Sequence, residues 1–246
     1  MEEKPAIIER PEAPRFWQLF VERHVELFVR ALAKLANLDF DSADLQKGEN
    51  GIGEDRISEM LSALLREVCR EMREELDIHI YEPAWERPKA PLSMSGLRDW
   101  EVRKRPDFTC VFPNERGGSH DNYEIPLHIE CKIIGKDKGR QTKYKKHYVS
   151  NGIVRFDSES HKYGHGAHCG MMIGYLVGES VDIVQEAINR VVKKEVAGHG
   201  PLCVSPGSHR KVGESKNEFS RRLVEPQSFT LIHLWVDLRD NPFFRV

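Results

Sequence analysis

Between Leu127 and Ile134 apolar and polar residues alternate: Leu127, Ile129, Cys131 and Ile133 on one side, His128, Glu130 and Lys132 on the other. Successive side chains of an extended strand point to opposite faces. The run therefore reads as a strand with one fully apolar face. Its other face carries a carboxylate and an ammonium two residues apart. In the partly enclosed cleft of a sheet such groups are costly unless they are paired or hold a ligand. Any fold for this chain must bury one face of that strand and accommodate the charges on the other.

The remaining patterns supply the elements around it. Spacings of three and four predict helices over Phe16–Leu38, Glu54–Leu76 and Val181–Val196, and a short one over Arg140–Val149. Strands are expected at Leu76–Tyr81, Asp107–Phe112, Gly170–Val177 and Phe229–Asp237. Residues 82–105 and 197–227 read as loops, and 205–216 as a flexible stretch. The order predicts an α/β fold, with an antiparallel meander joined through a helical crossover to a mixed sheet flanked by helices. The first helix is apolar on most sides, so it packs on its own core or docks a partner.

Asp107 opens the strand preceding Glu130, directly after Pro106. If the two strands form a hairpin, Asp107 lies beside Glu130 on one face. Two converging carboxylates repel unless a cation lies between them, and hard oxygen ligands suit Mg²⁺ or Mn²⁺. Such an ion activates water and offsets charge on a phosphoryl group. Lys132 would then orient or deprotonate the attacking water, or stabilise the pentavalent phosphate. The plainer alternative is a cross-strand ion pair on a solvated face, with Asp107 capping the strand entry.

Pro106-Asp107, 22 intervening residues and Glu130-Cys131-Lys132 resemble the PD-(D/E)xK motif of the restriction-endonuclease-like nucleases. The element order from Glu54 to Leu238 is similar to that family's core. The resemblance implies a restriction-endonuclease-like mixed central sheet, with residues 1–53 an added N-terminal tail and helix and 54–246 the nuclease domain. It implies that Asp107, Glu130 and the Cys131 carbonyl bind the metal, and that Lys132 is the catalytic lysine. Many members add a glutamate from the preceding helix. Glu54 shares the side of Ile57, Leu61 and Leu65, whereas Glu59 falls about 200° from Ile57, so Glu54 is the expected ligand. Some members carry Q-x-x-x-Y on the next helix. Here Gln141 and Tyr144 stand one residue too close, and that motif is not carried over. The implied activity is Mg²⁺-dependent hydrolysis of DNA. The implied setting is cytoplasmic restriction or antiphage defence, as a dimer or beside an ATPase or sensor. A rival from another class is a catalytically silent DNA-binding or scaffold subunit.

After the third strand, Lys136, Lys138, Arg140, Lys143, Lys145 and Lys146 face only Asp137, with Tyr144, His147 and Tyr148 interleaved. Such density can track a phosphate backbone while aromatics stack or pack on sugar. It is also what a solvated helix face looks like. Arg155 is read either as a phosphate contact or as a salt bridge to a helix end. The basic residues between Arg87 and Arg105 either grip DNA or form a solvated loop.

Overall balance matters here: 37 basic against 39 acidic residues excludes binding by bulk positive charge but not a local basic groove. His161, His165, His168 and Cys169 form a loose ligand-like cluster, but their spacing fits no zinc finger or knuckle. A structural zinc protein built on them is a further rival. Five cysteines without a C-x-x-C argue against a disulfide scaffold. No apolar run is long enough for a membrane span, and the first fifteen residues read as a loose tail rather than a signal peptide.

Overall fold

The computed structural model describes residues 12–38, 53–77, 80–86, 105–113, 124–135, 143–196, 198–209 and 211–241. The elements are α1 (Glu12–Ala36), α2 (Glu54–Leu76), β1 (Ala84–Trp85), β2 (Phe108–Pro113), β3 (Glu124–Ile134), α3 (Lys143–Ser150), a 3₁₀ turn (Ile153–Asp157), β4 (Cys169–Leu176), α4 (Val181–Glu195), β5 (Cys203–His209), β6 (Val212–Ser220) and β7 (Ser228–Asp237). The strands form one mixed sheet in the order β1-β2-β3-β4-β7-β6-β5. β3, β4 and β7 run parallel at its centre, and antiparallel strands flank them on both sides. The chain is thus an α/β protein with an open mixed sheet.

The two-residue period of the central strands sorts their side chains into two cores. Ile129, Cys131, Met171, Ile173, Tyr175, Ile232 and Leu234 join Leu27, Phe28 and Leu32 of α1 and Ile57, Leu61 and Val68 of α2. Met172, Leu176, Leu231 and Trp235 join Tyr148 of α3, Phe156 of the 3₁₀ turn, and Val184 and Ile188 of α4. The helices thus form a layer on each face, and all eight residues of β4 are buried. Surface pairs reinforce the first layer: Lys34 Nζ lies 2.8 Å from Glu67 and 2.7 Å from Glu71. Among the described residues no helix is long and apolar enough to cross a membrane.

β4 carries glycines where the second layer sits against the backbone. A Cβ on Gly174 would lie 2.5 Å from Trp235 Cε3. Gly174→Ala is therefore expected to force the indole aside and destabilise by about 1–3 kcal/mol. Urea unfolding of the variant and the parent would check this, and equal midpoints would refute it.

Inside the stretch read as the loop 82–105, Ala84 and Trp85 instead pair with Thr109 and Phe108 as β1. Two further stretches depart from expectation. Among the described residues of 76–81 no strand forms: α2 runs to Leu76 and Asp77 closes it in the left-handed region, while residues 78–79 lie outside the described residues. The Ile80 carbonyl is taken by Arg73 Nε at 2.9 Å and Nη2 at 2.5 Å, and the Tyr81 carbonyl is approached by His24 Nε2 at 3.3 Å. Helix side chains thus satisfy carbonyls that a ladder would have used. The second departure is 197–227, which holds the β5–β6 hairpin rather than a loop. Within 205–216, residues 205–209 belong to β5 and 212–216 to β6.

Candidate active site

The antiparallel register of β2 and β3 ends early, and the site follows from that. Phe108 opens β2 opposite Ile129. Beyond Ile129, β3 keeps β4 on one side, from Ile129↔Met171 to Ile134↔Leu176, but loses β2 on the other. The amides of Cys131 and Ile133 on that edge need other acceptors. Two carboxylates provide them. Cys131 N–H donates to Asp107 Oδ2 at 2.5 Å, and Ile133 N–H donates to Glu54 Oε2 at 2.9 Å. Asp107 reaches the edge because it immediately precedes β2. Glu54 reaches it as the first residue of α2, where a helix N-terminus favours negative charge.

Lys132 joins these groups. Its Nζ lies 2.7 Å from Glu54 Oε1, 2.8 Å from Glu130 Oε1 and 2.5 Å from the Cys131 carbonyl. Glu130 is fully buried and Lys132 nearly so. Glu130 Oε1 also accepts from Arg155 Nη1, while its Oε2 is buried with no hydrogen-bond partner among the described residues. Burial first, then the nearby Asp107, pushes the Glu130 carboxyl up to about 8. Burial likewise pushes Asp107 up to about 6, with Lys132 working against it. Burial would lower the Lys132 ammonium, but Glu130, Glu54 and Asp107 outweigh it and hold the group above the ordinary lysine range.

The structure therefore brings together Glu54, Asp107, Glu130, the Cys131 carbonyl and Lys132. Glu59 is not among them: it pairs with Arg56 on the exposed face of α2. Among the described residues no group of three or more His, Cys, Asp or Glu side chains is placed to share a metal ion. In this cluster the Lys132 ammonium stands among the oxygens. The donor set, three carboxylates and a carbonyl with one buried carboxylate oxygen lacking a partner among the described residues, has the hard oxygen chemistry of a Mg²⁺ or Mn²⁺ site.

The basic stretch is only partly as expected. Lys136, Lys138 and Arg140 lie outside the described residues. Lys143 and Lys146 are exposed on α3, with Lys146 3.7 Å from Glu195. Lys145 is a correction: it is buried and paired with Glu179 beneath α3, so it does not face a phosphate backbone. Tyr144 is half-buried against the second core, its ring beside Gly135, which argues for packing rather than base stacking. Arg155 bonds the buried carboxylate of Glu130 instead of a helix end.

Among the described residues, the histidines and Cys169 form no group placed to share a metal ion. His161 Nδ1 lies 3.1 Å from both Ser158 Oγ and Ser160 Oγ. Cys169 packs in the first core, and burial pushes its thiol up to about 12.

Sequence reasoning missed the residues that hold the site's floor. Tyr163 Oη donates to the Arg105 carbonyl at 2.6 Å, just ahead of Pro106-Asp107. Gly164 N–H donates to His128 Nδ1 at 2.9 Å, on the strand that carries Glu130. No pattern links Tyr163 or Gly164 to those partners, because the contacts span 36 residues or more. Comparison with protein-family models, curated proteins and solved structures finds no match for this chain.

Proposed function

We propose that the chain is a metal-dependent nuclease with a restriction-endonuclease-like core, hydrolysing phosphodiester bonds in DNA with Mg²⁺ or Mn²⁺. The observation that carries this reading is the meeting of Glu54, Asp107, Glu130 and Lys132 at the edge of β3 beyond its pairing with β2, with Glu130 Oε2 buried and without a hydrogen-bond partner among the described residues. Glu54, Asp107, Glu130 and the Cys131 carbonyl would hold the cation, which when bound activates water and offsets charge on the phosphoryl group. The carboxylates around Lys132 keep it protonated at neutral pH. It therefore donates hydrogen bonds, orienting the attacking water and stabilising the pentavalent phosphate rather than removing a proton. Bonds from the Cys131 and Ile133 amides fix Asp107 and Glu54 before substrate arrives, which limits reorganisation during the reaction. Restriction or antiphage defence is the setting this reading proposes, with target choice supplied by a second copy of the chain or by an ATPase or sensor partner.

One observation favours the silent-subunit reading. Lys132 and Arg155 both pair with Glu130, so two cations already stand where a metal ion would enter. The test is incubation of the purified chain with supercoiled plasmid, linear duplex and RNA, in Mg²⁺ or in EDTA. DNA cleavage is expected in Mg²⁺ and not in EDTA, and Asp107→Ala should slow it by about 10²–10³-fold. Cleavage that survives EDTA would defeat the metal-dependent mechanism, and failure to cut any substrate would favour the silent subunit.

A further inference from the structure

No motif accounts for Arg155, yet its guanidinium ends on the most deeply buried carboxylate of the cluster. The backbone beneath it is fixed from both sides. Ile153 and Phe156 are buried, Arg155 N–H donates to the Gly152 carbonyl at 3.0 Å, and Asp157 Oδ1 accepts the amides of Arg222 and Leu223, each at 2.8 Å. Its side chain is freer, with 27% exposed against 5% for Lys132. Lys132 is held by three acceptors at once. Of the two cations on Glu130, Arg155 is therefore the displaceable one. It can leave by rotating its own side chain toward solvent, with no backbone movement. The planar fork of a guanidinium matches two phosphate oxygens as well as it matches a carboxylate.

We propose that Arg155 competes with a divalent cation for Glu130 and, once displaced, grips the phosphate of the substrate. The inference rests on the nuclease reading and adds a residue and an order of events to it. A cation entering beside Glu130 must displace a positive charge already in contact with that carboxylate, so metal affinity carries the signature of Arg155 before any DNA is present.

The test titrates Mn²⁺ into the full chain at a pH above 8 by calorimetry without DNA, for wild type, Arg155→Met and Arg155→Lys. Arg155→Met is expected to bind Mn²⁺ roughly tenfold tighter, or more, because a unit positive charge is removed a few ångströms from the ion. Arg155→Lys keeps the charge and should stay near wild type. In a second arm, anisotropy of a labelled duplex oligonucleotide is read before turnover. Arg155→Met should match wild type in EDTA and bind roughly tenfold more weakly in Mn²⁺. Mn²⁺ affinity in Arg155→Met no tighter than in wild type would overturn the competition. An equal loss of DNA affinity in EDTA and Mn²⁺ would overturn the coupling. A wild type that binds no Mn²⁺ would instead remove the nuclease reading itself, and this inference with it.

Discussion

Glu130→Gln is expected to abolish cleavage, by about 10³-fold or more, while making the protein more stable at pH 8. The two effects share one cause. Glu130 is fully buried beside Asp107, and Lys132 and Arg155 offset only part of the cost of ionising it there. Its pKa of about 8 in the fold stands above an ordinary value of 4.5. The native protein therefore keeps a proton that the unfolded chain releases between those values. Stability from this group is fully present below about 4.5 and is lost as pH rises through about 8, by at most about 1.4 kcal/mol per pH unit. Asp107 adds the same sign over a narrower window, from 3.8 to about 6. Glutamine copies the neutral carboxyl and does not titrate, so the variant's stability should fall less steeply with pH. The two proteins should converge near pH 4.5 and separate toward pH 8.

A structural ion pair makes the opposite prediction. If Glu130 serves Lys132 and Arg155, its removal should destabilise at every pH above its ordinary value, by about 3–5 kcal/mol. Urea unfolding at pH 5, 6.5 and 8 separates the two. Mg²⁺ adds an independent readout, since a ligand that binds only the folded state raises its stability. The Mg²⁺-induced gain in wild type should grow from pH 5.5 to pH 8, where the carboxylates ionise, and should be small in the variant. Parallel pH profiles for the two proteins, or cleavage retained by Glu130→Gln, would refute the assignment of Glu130.

Much of this site was legible because its signals are local. Glu130 and Lys132 sit two apart in a strand whose other face is apolar, and helical spacing separates Glu54 from Glu59. The α2 helix follows from a three- and four-residue stripe from Ile57 to Met72, and Asp77 closes it. β6 was not legible because its inward positions are polar. Ser215, Asn217 and Phe219 carry its two-residue period, and hydropathy sees only the last.

Their partners make the polar positions tolerable. Trp235 Nε1 donates to Ser215 Oγ at 2.9 Å, and His233 Nε2 meets Asn217 Oδ1 at 2.8 Å. Asn217 Nδ2 donates to the Gly200 carbonyl at 3.5 Å, so its Oδ1 is the acceptor and His233 donates. That leaves His233 Nδ1 to accept from Tyr148 Oη at 2.8 Å. Burial lowers His233 to about 3, keeping it neutral. A satisfied buried network supports a strand as well as apolar packing does, but it spans β6, β7 and α3 and leaves no mark within any one segment. Lys145 was misread for the same reason. A lysine among lysines looks solvated until Glu179, 34 positions away, is brought beneath it.

Arg221→Met should cost about 3–5 kcal/mol of stability, the largest structural effect expected outside the apolar cores. The side chain is 2% exposed, and its neighbours are carbonyls rather than a carboxylate. Nε and Nη2 donate to the Pro226 carbonyl at 2.8 and 2.6 Å, and Nη2 also to that of Ala167 at 3.1 Å. Nη1 reaches the carbonyls of Gly164, Tyr163 and Phe156 at 3.1, 3.3 and 3.5 Å. The guanidinium also lies 3.9 Å over the Phe229 ring. Burial pulls its pKa down to about 10, so it remains charged at neutral pH. Methionine fills much of the volume but returns none of the donors, leaving buried carbonyls unsatisfied. Lysine, a point charge with three donors, cannot span five carbonyls from one position and should recover less than half of the loss. The bonded segment from Phe156 to Ala167 carries Tyr163 and Gly164, which hold Arg105 ahead of Asp107 and His128 on β3. Loosening it should therefore lower cleavage at temperatures where the variant is still folded, with Mn²⁺ affinity falling alongside. Urea midpoints for Arg221→Met and Arg221→Lys, with cleavage measured well below each midpoint, check both halves. A methionine variant within about 1 kcal/mol of wild type would show that the five carbonyls find other partners, and that Arg221 does not brace the site.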